Sequence, residues 1–258
     1  MNKVGEHGRG GANATSVLVV VLSAVLLSMA AMGQADPLKP IPLNVPSKTR
    51  GLPFMEALWA KASAQEWSET ELNLQDLSDL LWAANGINRP EIKKYTASSA
   101  MNAHDVNVYV FMKSGVYLYD AGAHVLNPVL AGDHRADLMM ARPPRPPDAG
   151  GPGTPPPPPP DAGGKMPERP SMPVPSNPPV QLILVSVSSR FRMGTPELKY
   201  EWGAIDAGIV SQNISLFCAA TGLKTRPRAS MDKAKIKALL NLTDAHHVLL
   251  NHPVGYAK

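Results

Sequence analysis

Three sets of residues in this 258-residue chain carry groups that could do chemistry: the seven histidines, the lone thiol of Cys218, and the arginines Arg226 and Arg228 in the loop Lys224–Ser230. Cys218 lies inside an apolar helical stretch, so it reads as a buried, inert thiol rather than a nucleophile. His246 and His247 are adjacent and on a strand would point to opposite faces, His252 follows alone, and no acid-histidine helix motif occurs. Metal binding is therefore not expected. The chain has no G-x-S-x-G, no Walker sequence and no G-x-G-x-x-G, which argues against an elbow hydrolase, a P-loop enzyme and a Rossmann dinucleotide domain. What remains is an arginine-bearing loop that some element must deliver to a site.

That element is the stretch Trp202–Asp232, which reads as one long buried helix followed by the loop. Ile205, Ile209, Leu216, Phe217 and Ala220 recur at helical spacing, and Ala204, Gly208, Ser211, Ser215 and Ala219 form a second stripe of small residues on which another helix could pack. Gly222 supplies the left-handed residue that ends such a helix. Upstream, Asn73 caps a helix from Leu74 to about Ala84, with Leu74, Leu77, Leu80, Leu81 and Ala84 inward and Gly86 at its end. Val106–Phe111 alternates and runs through Lys113-Ser114-Gly115 into Val116–Tyr119, the pattern of a hairpin. Val180–Val187 is almost continuously apolar, as in the middle of a sheet. A short basic helix over Met231–Leu240 and a last buried strand over His246–Asn251 complete an α+β domain, with helices flanking a central, mainly antiparallel sheet.

Two segments stand apart by composition. Residues 1–35 have a polar start with Lys3 and Arg9, an apolar run from Val17 to about Met32, and small residues before Asp36, so they are expected to be a secretory signal; an uncleaved anchor is the alternative. Residues 36–53 follow as a linker. Arg142–Pro179 holds 17 prolines in 38 residues and repeats PPDAGG, at Pro146–Gly151 and Pro159–Gly164, which rules out helix and central strand. It is expected to be a disordered Pro-rich insertion in a domain spanning 54–258. A net charge of +4 with scattered lysines and arginines gives no nucleic-acid stripe but is compatible with an anionic cofactor.

Four segments in the same order carry a resemblance: LSDLLWAANGINRPE at Leu77–Glu91, WGAIDAGIVSQNISLFCAATGL from Trp202, TRPRASMD from Thr225, and NHPVGYAK at the C-terminus. Together they resemble the nitroreductase superfamily, near its SagB-type branch. The resemblance implies FMN as cofactor, a homodimer, and chemistry carried by the flavin without a catalytic side chain.

It also implies where the cofactor contacts fall. The family's arginine-x-serine-x-arginine segment for phosphate and ribityl corresponds to Lys61-Ala62-Ser63-Ala64-Gln65, with serine kept and both arginines replaced. A proline-serine element followed by asparagine and glutamine corresponds to Ser98–His104, where Ser99 and Asn102 persist and His104 stands for the glutamine. The backbone that approaches flavin N5 corresponds to Pro227-Arg228-Ala229-Ser230, and Lys258 is a second phosphate cation. The implied reaction passes electrons from a reduced nicotinamide, or a quinone-type or protein donor, through FMN to a nitroaromatic, quinone or similar small-molecule acceptor. A flavin-free scaffold homodimer that kept the fold after its phosphate site decayed is the rival expectation. An exported bacterial protein, periplasmic or secreted, without stable membrane insertion after signal cleavage, is implied by the leader.

Overall fold

The computed structural model describes Met1, residues 37–138 and residues 178–258. Residues 2–35 of the expected signal (1–35) and all but the last two residues of the expected insertion (142–179) lie outside the described residues. Leu38–Lys258 forms one unit and Met1–Pro37 another. The chain of the larger unit runs β1 (Ile41–Pro42), α1 (Phe54–Ala60), α2 (Leu74–Asn85), β2 (Ile87–Arg89), β3 (Lys94–Tyr95), β4 (Val106–Met112), β5 (Gly115–Asp120), β6 (Val125–Ala131), β7 (Val180–Val187), α3 (Pro196–Thr221), β8 (Lys224–Thr225), α4 (Lys233–Leu239) and β9 (His246–Gly255).

Seven strands form one sheet in the order β1-β6-β5-β4-β7-β9-β8, every neighbouring pair antiparallel, and β2 and β3 form a separate small pair. All eight residues of β7 are buried because both sheet faces are covered. Alternation sorts the side chains: Val108, Val110, Leu182 and Leu184 meet α2 and α3, whereas Tyr109, Phe111, Ile183 and Val185 meet Ile236 and Leu240 at the other face. The expected α+β architecture, a mainly antiparallel sheet flanked by helices, is thus present. Arg135 donates from Nη1 to the carbonyls of Pro178 (3.1 Å) and Pro179 (3.3 Å), so the chain leaves the described fold after Leu138 and re-enters it beside Arg135.

The helices differ from expectation in which faces they bury. α2 begins on Asn73, whose side chain accepts from the Asp76 N–H at 2.8 Å, but Leu74 is 41% exposed. Gly86 is extended rather than left-handed; a side chain there would collide with Trp82. α3 starts earlier than the apolar pattern, at Pro196, capped by Thr195. Its buried face is Gly203, Asp206, Ala207, Val210, Ser211, Ile214, Ser215 and Cys218, while Ile205 is 56% exposed and Ala204 and Gly208 face outward. The cause is close approach: a Cβ at Gly203 would overlap the Ser186 hydroxyl on β7, so small residues face the sheet and part of the apolar stripe is left over. Gly222 ends α3 in the left-handed region at φ +80°, as its position requires.

Candidate cofactor site

The segment after α1 is tied down by a residue that periodicity did not mark. Trp67 is 1% exposed and donates its indole N–H to the Lys224 carbonyl at 3.0 Å. The Ala64 N–H donates to Thr225 O (2.9 Å) and the Ser68 N–H to Tyr256 O (3.0 Å), so Ser63–Ser68 lies along β8 and the C-terminal segment. A cleft of about 510 Å³ opens between this segment and the C-terminal end of α3, lined among others by Ser63, Gln65, Ser215, Lys224 and Lys258. Gly222, an exposed residue of its lining, leaves open space, with no atom within 4 Å of where a Cβ would stand. Lys61 caps the C-terminus of α1, exposed, and does not line the cleft. Lys258 Nζ lies 3.6 Å from Glu66 Oε2, an exposed pair that solvent screens strongly.

The loop Pro227–Ser230 sits beside this cleft's wall. Arg228 exchanges both backbone hydrogen bonds with Asn251 at 2.8 Å, and its guanidinium stands 5.5 Å from the centre of the Trp67 ring. Burial, then the neighbouring Arg226, lowers the Arg228 pKa from its ordinary value. Pro227, Ala229 and Ser230 are exposed.

The second set of expected contacts is elsewhere. Ser99 Oγ accepts from the His104 N–H at 2.9 Å, Asn102 Oδ1 accepts from Lys94 Nζ, and the His104 ring stacks on Tyr95 with centroids 4.1 Å apart. Burial, Lys94 and Arg190 lower the His104 pKa, so the ring is neutral at pH 7 and offers one donor and one acceptor. Lys93, Met101, Asn102, His104 and His124 all have positive φ without being glycine, and all but Met101 line an open cleft of about 1000 Å³ with Trp82 and Tyr95. Strained backbone gathered in one place is a mark of a functional surface. The Ala100 N–H contacts Asp206 on α3, twelve residues before Cys218, which lines the first cleft; at ~1.5 Å rise per residue the two stations are about 18 Å apart. One chain therefore gathers Ser63, Gln65 and Lys258 in one cleft and Asn102 and His104 in another, and does not bring the two sets together.

Sequence reasoning also missed a buried polar chain beneath the first cleft. His252 is fully buried, with Nε2 2.8 Å from Ser211 Oγ and Nδ1 3.3 Å from Thr225 Oγ1. Thr225 spends its proton on Pro253 O (2.9 Å), so Nδ1 of His252 is the donor to Thr225 and Nε2 accepts from Ser211. Burial pushes the His252 pKa down to about 3 and holds the ring neutral. Cys218 is buried and burial alone raises its thiol pKa far, which removes it as a nucleophile. Among the described residues no three His, Cys, Asp or Glu side chains cluster to hold a metal ion, and no helix is long and apolar enough to cross a membrane.

The model of the nitroreductase family matches residues 61–256, from the segment that opens the first cleft to the end of the last strand. The chain belongs to the nitroreductase family. This nitroreductase-family protein is similar in structure to a candidate nitroreductase from Ralstonia eutropha JMP134, with a TM-score of 0.68 at 26% identity over 87% of this chain and 92% of the other. A second, from Anabaena variabilis ATCC 29413, gives 0.57 at 12% identity over 78% of this chain and 37% of that one. A chain of the E. coli microcin synthetase McbBCD complex with truncated pro-MccB17 gives 0.56 at 14% identity over 95% of each. The last two likenesses show the fold alone. No curated protein matches the sequence. Members of the nitroreductase family are oxidoreductases that generally use flavin cofactors, and this sets the general class of function.

The first cleft's donor set fits a flavin nucleotide. Ammonium groups at Lys224 and Lys258, the Ser63 hydroxyl and the Gln65 amide suit a phosphate and its polyol chain, and the small residues Ser215, Ala219 and Gly222 leave room beside them.

Proposed function

We propose that this protein, on the SagB-type branch of its family, is an FMN-dependent oxidoreductase acting as a homodimer, with each flavin held between two copies. The observation that carries this is the cleft between Ser63–Gln65 and the end of α3, left open beside Gly222 and lined by Lys224 and Lys258, with Glu66 as the one acidic group among the described residues of its lining. FMN, when bound, supplies hydride and electron transfer between a reduced donor and a nitroaromatic, quinone or similar acceptor. The chain's own part is to bind and orient. Ser63, Gln65 and Lys258 hold the phosphate end, with Lys61 adding positive potential from outside the cleft. Trp67 and Arg228 stiffen the adjoining wall, and although Pro227–Ser230 does not itself line the cleft, the family resemblance assigns the backbone of Ala229 and Ser230 to the ring.

Asn102 and His104 reach that ring from the second copy, which accounts for their separation from Ser63 within one chain. The uncovered apolar residues support the pairing: Ile205 on α3, and Phe54, Met55 and Trp59 on α1, the last 87% exposed, are more apolar surface than a lone subunit leaves bare without use. The leader supports export to the periplasm or beyond, where reduced nicotinamide is scarce, so a quinone-type or protein donor competes with nicotinamide for the role.

A flavin-free scaffold is the second reading, favoured by the exposed placement of Lys61 and the pairing of Lys258 with Glu66. The two separate on the purified full chain incubated with FMN and dialysed. Yellow protein that bleaches under a reductant and recovers in air is expected; protein that stays colourless sinks the enzyme reading and leaves the scaffold.

A further inference from the structure

Two buried carboxyl groups, those of Asp105 and Asp206, interact beneath the Ser99–His104 loop, and the site described above does not use either. Asp105 follows His104 directly and is completely buried; Asp206 projects from α3 and is 3% exposed. The Asp206 carboxylate accepts the Ala100 N–H with both oxygens, at 2.8 and 3.1 Å, and so fastens the loop to α3. Asp105 Oδ2 accepts the Ser186 hydroxyl at 2.5 Å, its Oδ1 is buried without a hydrogen-bond partner among the described residues, and the Asp206 carboxyl interacts with the group as a whole. Gly203, one turn before Asp206, is the residue that lets α3 come this close to Asp105 and Ser186.

The surroundings offer no compensating charge. The charged and titratable groups on the elements packed around the pair include Lys94 and Tyr95 on β3, His104 in the loop, Tyr109 on β4, Arg190 after β7, His246, His247 and His252 on β9, and Lys199, Tyr200 and Glu201 on α3. Lys94 is committed to Asn102 Oδ1, Arg190 to His104 O and Asn107 Oδ1, and the His247 ring to Tyr200. Lys199 and Glu201 lie near the start of α3, more than one turn before Asp206, and among the described residues no ion pair reaches either carboxyl. Two buried carboxylates in contact and without a cation cannot both be ionised cheaply.

We propose that Asp105 and Asp206 share one proton, and that this proton makes them the positioning residues that hold the Ser99–His104 loop in its binding shape. With the proton present, one carboxyl donates to the other and Asp206 is free to hold the Ala100 N–H. Without it, the two anions repel, and the loop is the part able to yield: Met101, Asn102 and His104 already sit at positive φ and are kept there by the fastening. Burial first, with Asp206 adding to it, pushes Asp105 up to about 7 from an ordinary 3.8. A folded-state pKa raised in this way gives stability that is complete below 3.8 and is lost as pH rises through about 7, so the loop loosens toward alkali. The loop's role at a flavin rests on the reading under Proposed function; its fastening does not.

The test is therefore made first without flavin, by hydrogen exchange on the peptide covering Ser99–His104 in the full chain. Wild-type protection, corrected for intrinsic exchange, should fall by up to roughly tenfold per pH unit as pH rises from 3.8 toward about 7 and level off above it, following one proton. Asp105→Asn, whose amide donates to Asp206 as the protonated acid does, should keep its protection across the same range. Flat wild-type protection, or an equal alkaline loss in Asp105→Asn, overturns the proposal. Asp206→Ala, which removes the acceptor of the Ala100 N–H, should lose loop protection at every pH; if it does not fold, the Asp105→Asn comparison still decides. FMN affinity is measured afterwards on the same proteins, and the expected result is a wild-type alkaline weakening that Asp105→Asn abolishes. Failure to bind FMN at any pH would count against the cofactor reading, while the exchange result would still judge the carboxyl pair.

Discussion

The Trp67 indole N–H and the Lys224 carbonyl meet at 3.0 Å across 157 residues, joining the segment after α1 to the strand that leaves Gly222. With the Ala64–Thr225 and Ser68–Tyr256 backbone bonds it closes the wall of the cleft on which the cofactor reading rests. Trp67→Phe keeps most of the packing and removes the bond, so it should lower stability by about 1 kcal/mol. Trp67→Ala leaves a cavity as well and should lower stability by about 3–5 kcal/mol. Urea unfolding of both variants checks the ranking; equal losses would mean the bond adds nothing to the packing.

Gln65 lines the cleft and Lys61 does not, so the two positions are unequal as phosphate contacts. The double variant Lys61→Arg, Gln65→Arg should tighten FMN by about tenfold or more, since a hydrogen bond to a charged group contributes roughly 1.5–3 kcal/mol. Most of the gain should come from Gln65→Arg alone. Quenching of flavin fluorescence gives both dissociation constants, and unchanged affinity would show that neither side chain reaches the phosphate.

Ile205 and Gly208 lie on the outward face of α3, with no atom within 4 Å of a Cβ at Gly208. If a second copy covers this face, Ile205→Glu should shift the protein to monomer in sedimentation and weaken FMN binding with it, because Asn102 and His104 would leave the site. A dimer unaffected by Ile205→Glu would place the interface elsewhere.

His252 titrates near 3 in the fold against an ordinary 6.5, because burial disfavours the charged ring. Its contribution to stability is therefore complete above pH 6.5 and is lost as pH falls toward 3. His252→Phe should be less stable than wild type at neutral pH through the loss of Ser211 and Thr225 as partners, and the gap should narrow on acidification. Urea midpoints at several pH values check this, and a gap that widens toward acid would mean the ring is charged in the fold.

Much of the scaffold was legible because its patterns were local. The Asn73 cap, the Lys113-Ser114 turn between β4 and β5, and the unbroken apolar run of β7 each state their structure within a few residues. β6 was not legible: Pro128 interrupts its pattern and is accommodated where the pairing shifts register between Val116 and Tyr117. The inward face of α3 was read only in part: Ser211 and Ser215 of the small-residue stripe are buried, but Gly203 and Asp206 face the sheet in place of Ala204 and Gly208 so that the helix can approach it, and burial by close approach has no hydrophobic signature. The site followed the same division. Ser63, Gln65 and Lys258 came from matching short motifs, whereas Trp67, His252 and the Asp105–Asp206 pair depend on contacts across many tens of residues, which spacing along the chain cannot encode.

Equilibrium titration of FMN with the purified full chain, followed by flavin fluorescence and by sedimentation of the yellow species, tests the central claim most directly. Saturable quenching with one FMN per chain, on a species with the mass of a dimer, is the expected result. Flavin that remains fully fluorescent and dialyses away, or that binds a monomer, would contradict a site shared between the Ser63 cleft of one copy and the Asn102 loop of another.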